Sequence, residues 1–168
     1  MVMRQPEREP VGPGQESVWD YPRPPVVRPC AARVRVVHGG VTVVDTTAAR
    51  KVCETSQLPA YYLPRADIAI GVLHASGRRS LCEWKGVATY WTLAVPGTAP
   101  VSDVAWSYEG PTAPFASIAG HVTFYAARVD ECWVGDERVR PNPGDFYGAW
   151  WTPAVVGPFK GGPGSSWW

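Results

Sequence analysis

The chain has 168 residues, a length typical of one domain with one hydrophobic core. Its formal net charge is +1, and acidic and basic residues are mixed along most of the chain, so nothing in the charge favours nucleic acid or an anionic membrane as a partner. We find neither a basic segment followed by an apolar run at the start nor about eighteen consecutive apolar residues anywhere, which predicts a cytoplasmic protein without a membrane span.

Proline and glycine, which number 18 and 17 in the whole chain, are concentrated at its two ends. These ends are therefore expected to be irregular. Aromatic residues such as Trp19 and Trp150 lie within them, and aromatic side chains bury large areas, so most of both ends should wrap onto the body as ordered coil. We predict a flexible tail over residues 1–14, a single β-domain over residues 15–164 and an aromatic tail over residues 165–168.

Two β-hairpins are predicted from turns that contain glycine. The first joins the alternating run ARVRVVH to VTVVDTT through Gly39 and Gly40, which supply the positive φ angles of a tight turn. The second has Gly135 and Asp136 between strands near residues 132–134 and 137–139. Antiparallel neighbours are expected at both places.

The rest of the middle of the chain also favours strands. Further strands are indicated by IAIGVLH, SLCEWKGVATYWTLAV, VAWSYEG and HVTFYAA, with HASGRRS, PGTAPVSD and PTAPFASIAG between them. Short helical turns are predicted at TTAARKV, PRADI and PTAPFASIA, the last two opened by proline. The predicted fold is mainly β, a single antiparallel domain of roughly eight or nine strands, with few short helical turns and long ordered coil ends.

The run LCEWKGVATYW places two charged residues inside an aromatic strand. Alternate side chains of a strand share one face, so Glu83 and Lys85 should point to one side and Cys82 and Trp84 to the other, with Gly86 offering a place for a bulge. Two interpretations are open. The pair is an exposed contact that contributes well under about 1 kcal/mol, or both charges are partly buried and are either paired or used in function.

Other polar groups lie on a similar aromatic background. His121 and Tyr125 share one face of the strand HVTFY, and prolines hold the two tyrosines of LPAYYLP in an extended segment. The alternatives are a half-buried histidine that is simply hydrogen-bonded, and tyrosines that only pack. The predicted ligand-binding residues are Glu54, Tyr61, Tyr62, Trp84, Tyr90, Trp106 and Tyr125.

The four cysteines lie far apart and form no C-x-x-C pair. This spacing argues against a zinc knuckle and against a thioredoxin-type redox motif. We expect reduced thiols, no metal site and no cofactor. A nucleophilic Cys82 is the alternative to a buried, apolar thiol if Glu83 or His121 lies near it.

Several segments in matching order carry a resemblance to a known family. ESVWDYPRPP, RVVHGGVTVVDTT, ETSQLPAYYLP, CEWKGVATYW, AWSYEGP, HVTFY and VGDERVRPNPGDFYGAWWTPAVVGPFKGGPG together resemble the bacterial domain-of-unknown-function family 427, sometimes labelled a nucleotidyltransferase-like domain. The likeness spans roughly residues 15–164. It implies a compact β-domain of the β-tent type, similar in topology to methionine sulfoxide reductase B and to the thalidomide-binding domain of cereblon. Those relatives typically hold a structural zinc through paired C-x-x-C knuckles, which this sequence lacks.

The residues themselves do not favour nucleotidyl transfer. Such enzymes present a glycine-rich turn for phosphates and two carboxylates spaced to hold magnesium. The segment FKGGPG lacks the G-x-x-x-x-G-K-[ST] order and follows no strand-to-helix unit. Neither a phosphate cradle nor a magnesium site is expected.

Aromatic residues mixed with a few polar groups are typical of small-molecule sites. We therefore predict a pocket for a small, partly planar, polar molecule, with cofactor-independent acid–base catalysis as its chemistry. Glu83 would be the acid or base, Lys85 would lower its pKa or hold an anionic oxygen, and His121 would be a reserve group. The alternative is a protein interaction module or a homodimer without catalysis, because the SSWW terminus supplies two further tryptophans.

Overall fold

The computed structural model describes residues 4–144 and 146–168, and it is mainly β. Within these residues the chain forms fifteen short strands: β1 (Glu16–Ser17), β2 (Val26–Pro29), β3 (Val34–His38), β4 (Val41–Thr46), β5 (Arg50–Cys53), β6 (Ala60–Tyr62), β7 (Leu73–Cys82), β8 (Gly86–Leu93), β9 (Val101–Ser107), β10 (Val122–Phe124), β11 (Glu131–Val134), β12 (Glu137–Arg138), β13 (Arg140–Pro141), β14 (Trp150–Trp151) and β15 (Val155–Val156). Short 3-10 helices occupy Val18–Asp20, Arg65–Asp67, Ala113–Ile118 and Ala126–Arg128.

The strands are arranged in several small sheets. Two sheets have four strands each, in the orders β10-β9-β8-β7 and β12-β11-β3-β4, and a third has the order β2-β5-β6. Each of these sheets is antiparallel throughout. Two-stranded pairs tie the ends of the chain together, with β1 parallel to β15 and β13 antiparallel to β14. The predicted mainly β, antiparallel class is confirmed.

Both predicted hairpins are present. Gly39 and Gly40 have φ angles of 56° and 74° between β3 and β4, as a tight turn with two left-handed residues requires. Gly135, with φ of 57°, opens the turn between β11 and β12. Local glycine chemistry therefore determines the two connections.

Several of the predicted segment assignments are wrong. HASGRRS is not a loop, because it belongs to β7, where the register shifts between Ala75 and Arg79. IAIGVLH joins this strand only from Leu73, since Ile68 makes a single bridge to Val44 and the chain then turns. TTAARKV contains no helical turn, and its second half enters β5.

The run LCEWKGVATYW is not one strand either. Cys82 pairs with Gly86 across the β7–β8 ladder, so residues 83–85 form the loop of a hairpin. Gly86 has φ of 101°, a conformation that other residues rarely adopt, which explains why the chain reverses here. Glu83 and Lys85 consequently lie in a turn and not on one face of a strand.

Hydrophobic residues from both four-stranded sheets form the main core. Its fully buried members include Val34, Val36, Val43, Val44, Leu63, Leu93, Val122, Phe124 and Trp150. Trp150 comes from the carboxy-terminal region; its indole N–H donates to the Phe124 carbonyl at 2.7 Å, and its ring stacks on Tyr61 with centroids 5.1 Å apart. The carboxy-terminal region thus contributes directly to the core.

The ends of the chain pack against the body, as their aromatic content predicts. Trp19 and Trp168 contact each other, with ring centroids 6.0 Å apart, in a separate hydrophobic cluster. The amide of Glu9 donates to the Gly157 carbonyl at 2.9 Å, so the chain is already docked within the predicted tail 1–14. Residues 1–3 of that tail lie outside the described residues.

No helix in the described ranges is both long enough and apolar enough to cross a membrane.

Candidate functional site

A cavity of about 430 Å³ lies between the sheet β10-β9-β8-β7, strands β5 and β6, and the carboxy-terminal coil. Aromatic side chains line it from all these directions: Tyr62, Trp84, Tyr90, Trp106, Tyr108, Tyr125, Phe146 and Tyr147. Its volume is in the range that holds small organic molecules. The cavity is therefore the candidate site.

Strand geometry explains why these side chains meet. Tyr90 on β8 and Trp106 on β9 are direct partners across the ladder, so their side chains share one face of the sheet. Tyr108 follows Trp106 by two residues, and Ser80 and Cys82 alternate in the same way on β7. The period of two along each strand directs all five into the cavity.

The aromatic wall is closely packed at one point. Trp106 and Tyr125 have ring centroids 4.6 Å apart, and Tyr62 packs in the same hydrophobic cluster as Trp106. Gly148 lies against both rings, and a Cβ there would be 2.4 Å from Trp106 and 2.9 Å from Tyr125. The coil that carries Gly148 therefore leaves no room for a side chain between its backbone and the aromatic wall.

Hydroxyl and thiol groups lie close together on the cavity surface. The Ser80 and Tyr90 hydroxyls are 2.9 Å apart, Tyr90 is a neighbour of Tyr125, and Cys82 is a neighbour of Tyr108. Burial is the main cause that raises the pKa of Tyr108, and it raises the pKa of Tyr125 to about 12. These phenols are thus neutral at physiological pH and keep their O–H donors.

Four cationic side chains from separate segments also line the cavity: Arg78, Lys85, Arg128 and Lys160. Each lies over an aromatic ring of the site. The guanidinium carbon is 4.5 Å from the ring centre of Tyr90 for Arg78, and 3.9 Å from that of Tyr125 for Arg128. The Lys85 ammonium is 5.5 Å from the ring centre of Tyr108. Cation–π attraction holds these charges against the walls.

Glu54 is the sheltered carboxylate of the cavity, with a side chain only 15% exposed. The Gln57 side-chain amide donates to it at 2.5 Å, and the Arg23 guanidinium lies 3.6 Å away. These partners compensate for its burial. Glu54 therefore combines access to the cavity with a fixed orientation.

Glu83 and Lys85 lie at the rim, in the turn between β7 and β8. Thr112 anchors this turn, because its hydroxyl donates to the Trp84 carbonyl at 2.6 Å and its amide donates to the Lys85 carbonyl at 3.2 Å. Glu83 is exposed, whereas Trp84 and Lys85 are half-buried. The two charges thus differ in exposure, unlike the matched pair expected on one strand face.

The cavity brings together most of the residues that the sequence singled out. Those that line it are Glu54, Tyr62, Glu83, Trp84, Lys85, Tyr90, Trp106 and Tyr125. Tyr61 and His121 lie outside this lining. Tyr61 is the strand neighbour of Tyr62 and so faces the core. His121 directly precedes β10, and its Nδ1 lies 3.3 Å from the Ala119 carbonyl.

Sequence reasoning missed several lining residues. Tyr108 shares the strand parity of Trp106, so alternation alone was a sufficient signal. Arg78 lies in a segment predicted to be a loop, and Arg128 and Lys160 are distant in sequence from the rest of the site. No local signal identified these three cations.

The described residues contain no group of three or more His, Cys, Asp or Glu side chains that could hold a metal ion. All four cysteines are free thiols; Cys30, Cys53 and Cys132 are buried, and Cys82 is half-buried at the cavity. The polar groups of the site are thus hydroxyls, a thiol, two carboxylates, the Gln57 amide and cations.

The fold and the cavity define a mainly β domain with an aromatic-walled site. The family described as a domain of unknown function, DUF427, matches the chain over residues 26–135, which is well over half of it. The chain belongs to this family. The match includes Tyr62, Lys85 and Arg128 but ends before Gly148 and Lys160. A search of curated proteins finds no match to the chain.

Proposed function

We propose that this protein binds a small, planar, polar molecule in the cavity. The observation that carries the proposal is the lining itself, in which aromatic rings from three parts of the fold surround about 430 Å³ together with a few hydroxyls and charges. Apolar walls with a small number of placed polar groups are characteristic of small-molecule sites. The aromatic faces supply stacking, and the polar groups select the orientation.

The hydroxyls make the ligand a polar one. Tyr90 and Tyr125 are neighbours at the cavity surface, and the Tyr90 hydroxyl lies 2.9 Å from that of Ser80. An apolar ligand would bury these groups without new partners, which costs about 1–3 kcal/mol for each group left unsatisfied. A ligand with its own donors and acceptors avoids that cost.

A thermal-shift screen of nucleobases, amides and carboxylic acids would identify a ligand, and calorimetric titration would measure its affinity. Tyr90→Phe and Tyr125→Phe remove one hydroxyl each and keep the ring, so each should weaken binding about 5- to 10-fold. Tyr61→Phe is the matched control, because that ring lies in the core and outside the cavity lining. Unchanged affinity in both cavity variants would place the ligand elsewhere.

Proton transfer to the bound molecule is the second candidate. It is favoured by the sheltered carboxylate of Glu54, which faces the cavity while Gln57 and Arg23 hold it in place. Glu54 fits the acid–base role better than Glu83, because Glu54 is sheltered and Glu83 is exposed. Glu83 then guides ligand entry at the rim beside Lys85. With a ligand that turns over, Glu54→Gln should abolish the reaction and Glu83→Gln should slow it only slightly; the reverse ranking rejects this assignment.

Self-association is the alternative to ligand binding, and light scattering distinguishes the two. Trp167 is 42% exposed, whereas Trp168 packs on Trp19. Trp167→Ser therefore tests an aromatic interface without disturbing the docked terminus. Light scattering of both proteins should give the same monomeric mass if the protein acts through its cavity. A dimer that Trp167→Ser dissociates would favour the interaction module.

A further inference from the structure

The charges that line the cavity are unequal. Four cationic side chains face two carboxylates, and one of those carboxylates, Glu54, is already bound by Arg23 and Gln57. The other, Glu83, is exposed at the rim. The cavity lining therefore carries net positive charge, to which Arg78 contributes with a side chain that is 53% exposed.

Two of the cations converge on one place. The Arg78 guanidinium lies over the ring of Tyr90 and the Arg128 guanidinium over the ring of Tyr125, and these two tyrosines are neighbours. Both arginines also contact Asp103, Arg78 through the carboxylate at 3.8 Å and Arg128 through the backbone carbonyl. Two guanidiniums thus lie over two neighbouring tyrosine rings.

Asp103 neutralises this pair only in part. Its carboxylate lies 3.8 Å from the Arg78 guanidinium, which is too long for a hydrogen bond. Arg128 uses an N–H on a neutral carbonyl oxygen. A guanidinium has five donors in a planar fork that suits carboxylate and phosphate oxygens, so both arginines retain donors for an anion.

The third cation adds charge at the rim. Lys85 is half-buried between the rings of Tyr108 and Phe115, at 5.5 and 5.8 Å from their centres. In the part of the chain that the structure describes, it forms no ion pair with a carboxylate. A bound anion would therefore gain from Lys85 as well.

We infer that the ligand carries an anionic oxygen group, a carboxylate or a phosphate, on a planar ring, with the anion between Arg78 and Arg128 beside the hydroxyls of Tyr90 and Tyr125. The ring then lies against Trp106, whose indole forms the neighbouring wall. This inference rests on the proposed binding function and specifies the class of ligand. It also explains why cations come from separate segments of the chain to a site with so many aromatic rings.

A set of four probes on one ring tests the inference by calorimetric titration of the full chain: 2-naphthoate, 2-naphthyl phosphate, 2-naphthamide and 2-naphthylmethylammonium. We expect the two anions to bind at least about 10-fold more tightly than the amide, and the ammonium to bind most weakly, because charge-assisted hydrogen bonds are about twice as strong as neutral ones. The ratio of naphthoate to naphthyl phosphate affinity identifies the preferred group.

Variants localise the anion. Arg78→Met and Arg128→Met should each weaken anion binding about 10-fold and leave the amide unchanged, and Arg78→Lys should recover part of the loss. Arg79→Met is the matched control, because Arg79 is the neighbour of Arg78 on the same strand, is exposed like Arg78, and does not line the cavity, so the variant should change neither affinity. Circular dichroism verifies that each variant is folded, and Arg78→Met remains decisive if the loss of the Arg128 hydrogen bond unfolds that variant.

The outcomes distinguish a failure of the anionic ligand class from a failure of the proposed binding function. Equal affinities for anion, amide and ammonium would overturn the anionic class and leave the cavity as a binding site. Tight anion binding that Arg78→Met and Arg79→Met weaken equally would overturn the assigned position. No binding of any probe by the folded protein would overturn both the anionic class and the proposed function.

Discussion

A Cβ atom on Gly148 would lie 2.4 Å from Cη2 of Trp106. The contact joins the carboxy-terminal coil to the aromatic wall of the cavity, and the ring of Tyr125 closes the same space. Glycine is required at this position by close approach and not by its φ angle. The cavity therefore depends on a residue that supplies no functional group.

Gly148→Ala should destabilise the protein by about 1–3 kcal/mol, the usual effect of an added methyl group in a well-packed place. Trp106 would have to shift, and ligand affinity should fall as the wall moves. Chemical denaturation and calorimetric titration measure the two effects. Gly110→Ala is the control, since nothing lies within 4 Å of the Cβ position there; equal stability of the two variants would contradict the close contact.

Trp150 connects the carboxy-terminal region to the core, and its substitution tests that connection. Trp150→Phe removes the 2.7 Å hydrogen bond to the Phe124 carbonyl and should cost about 1–3 kcal/mol. Trp150→Ala also leaves a cavity beside Tyr61, and should cost about 3–5 kcal/mol. Urea denaturation gives both values. Trp167→Phe, at an exposed position, should change stability little. An equal loss of stability there would contradict the stabilising role of the buried Trp150.

Local chemistry made part of the fold predictable. The hairpin at Gly39 and Gly40 is determined by two adjacent residues that accept positive φ, and the alternation of the flanking runs agrees with it. The docking of Trp19 followed from the cost of exposing large aromatic rings. Each of these features needs information from only a few neighbouring residues.

The strand β7 could not be predicted in the same way. Its residues are mostly exposed, so it has no apolar alternation to identify it. Gly77 indicates a loop in the sequence, and in the structure this glycine has a positive φ within the strand. Pairing with β8, a tertiary interaction, makes the segment a strand. The turn at residues 83–85 was hidden for a related reason, because the aromatic residues on both sides resemble one continuous strand.

The candidate site was predictable in composition but not in detail. Aromatic residues on strands indicated the walls, and strand parity separates Tyr62 at the cavity from Tyr61 in the core. Arg128 and Lys160 reach the same cavity only through long-range packing. Their positive charge, which determines the expected ligand class, had no local signature in the sequence.

Cys82 should be the one thiol that reacts rapidly in the native protein. It is half-buried at the cavity, whereas Cys30, Cys53 and Cys132 are buried, and burial raises the pKa of Cys53 and Cys132. Mass spectrometry after brief exposure to iodoacetamide should show one modified cysteine, and a ligand in the cavity should protect it. Cys82→Ser should remove that modification, and rapid labelling at a second thiol would contradict the packing around the other three.

Alkaline pH should unfold the protein through its buried tyrosines. Burial is the main cause that raises the pKa of Tyr62 and Tyr108 above the ordinary value of 10.0, and it raises that of Tyr125 to about 12. The unfolded chain therefore loses these protons first, so stability is unaffected below about pH 10 and falls as the pH rises further.

Tyrosinate absorbance at 295 nm, followed from pH 8 to 13 together with circular dichroism, checks this expectation. The shifted phenols, which also include Tyr21 and Tyr61, should ionise together with the loss of structure. Tyr125→Phe should move the alkaline midpoint upward, because it removes one group whose ionisation favours the unfolded chain. A titration in which all seven tyrosines ionise near pH 10 while the fold persists would show that these hydroxyls reach solvent, and would contradict their burial.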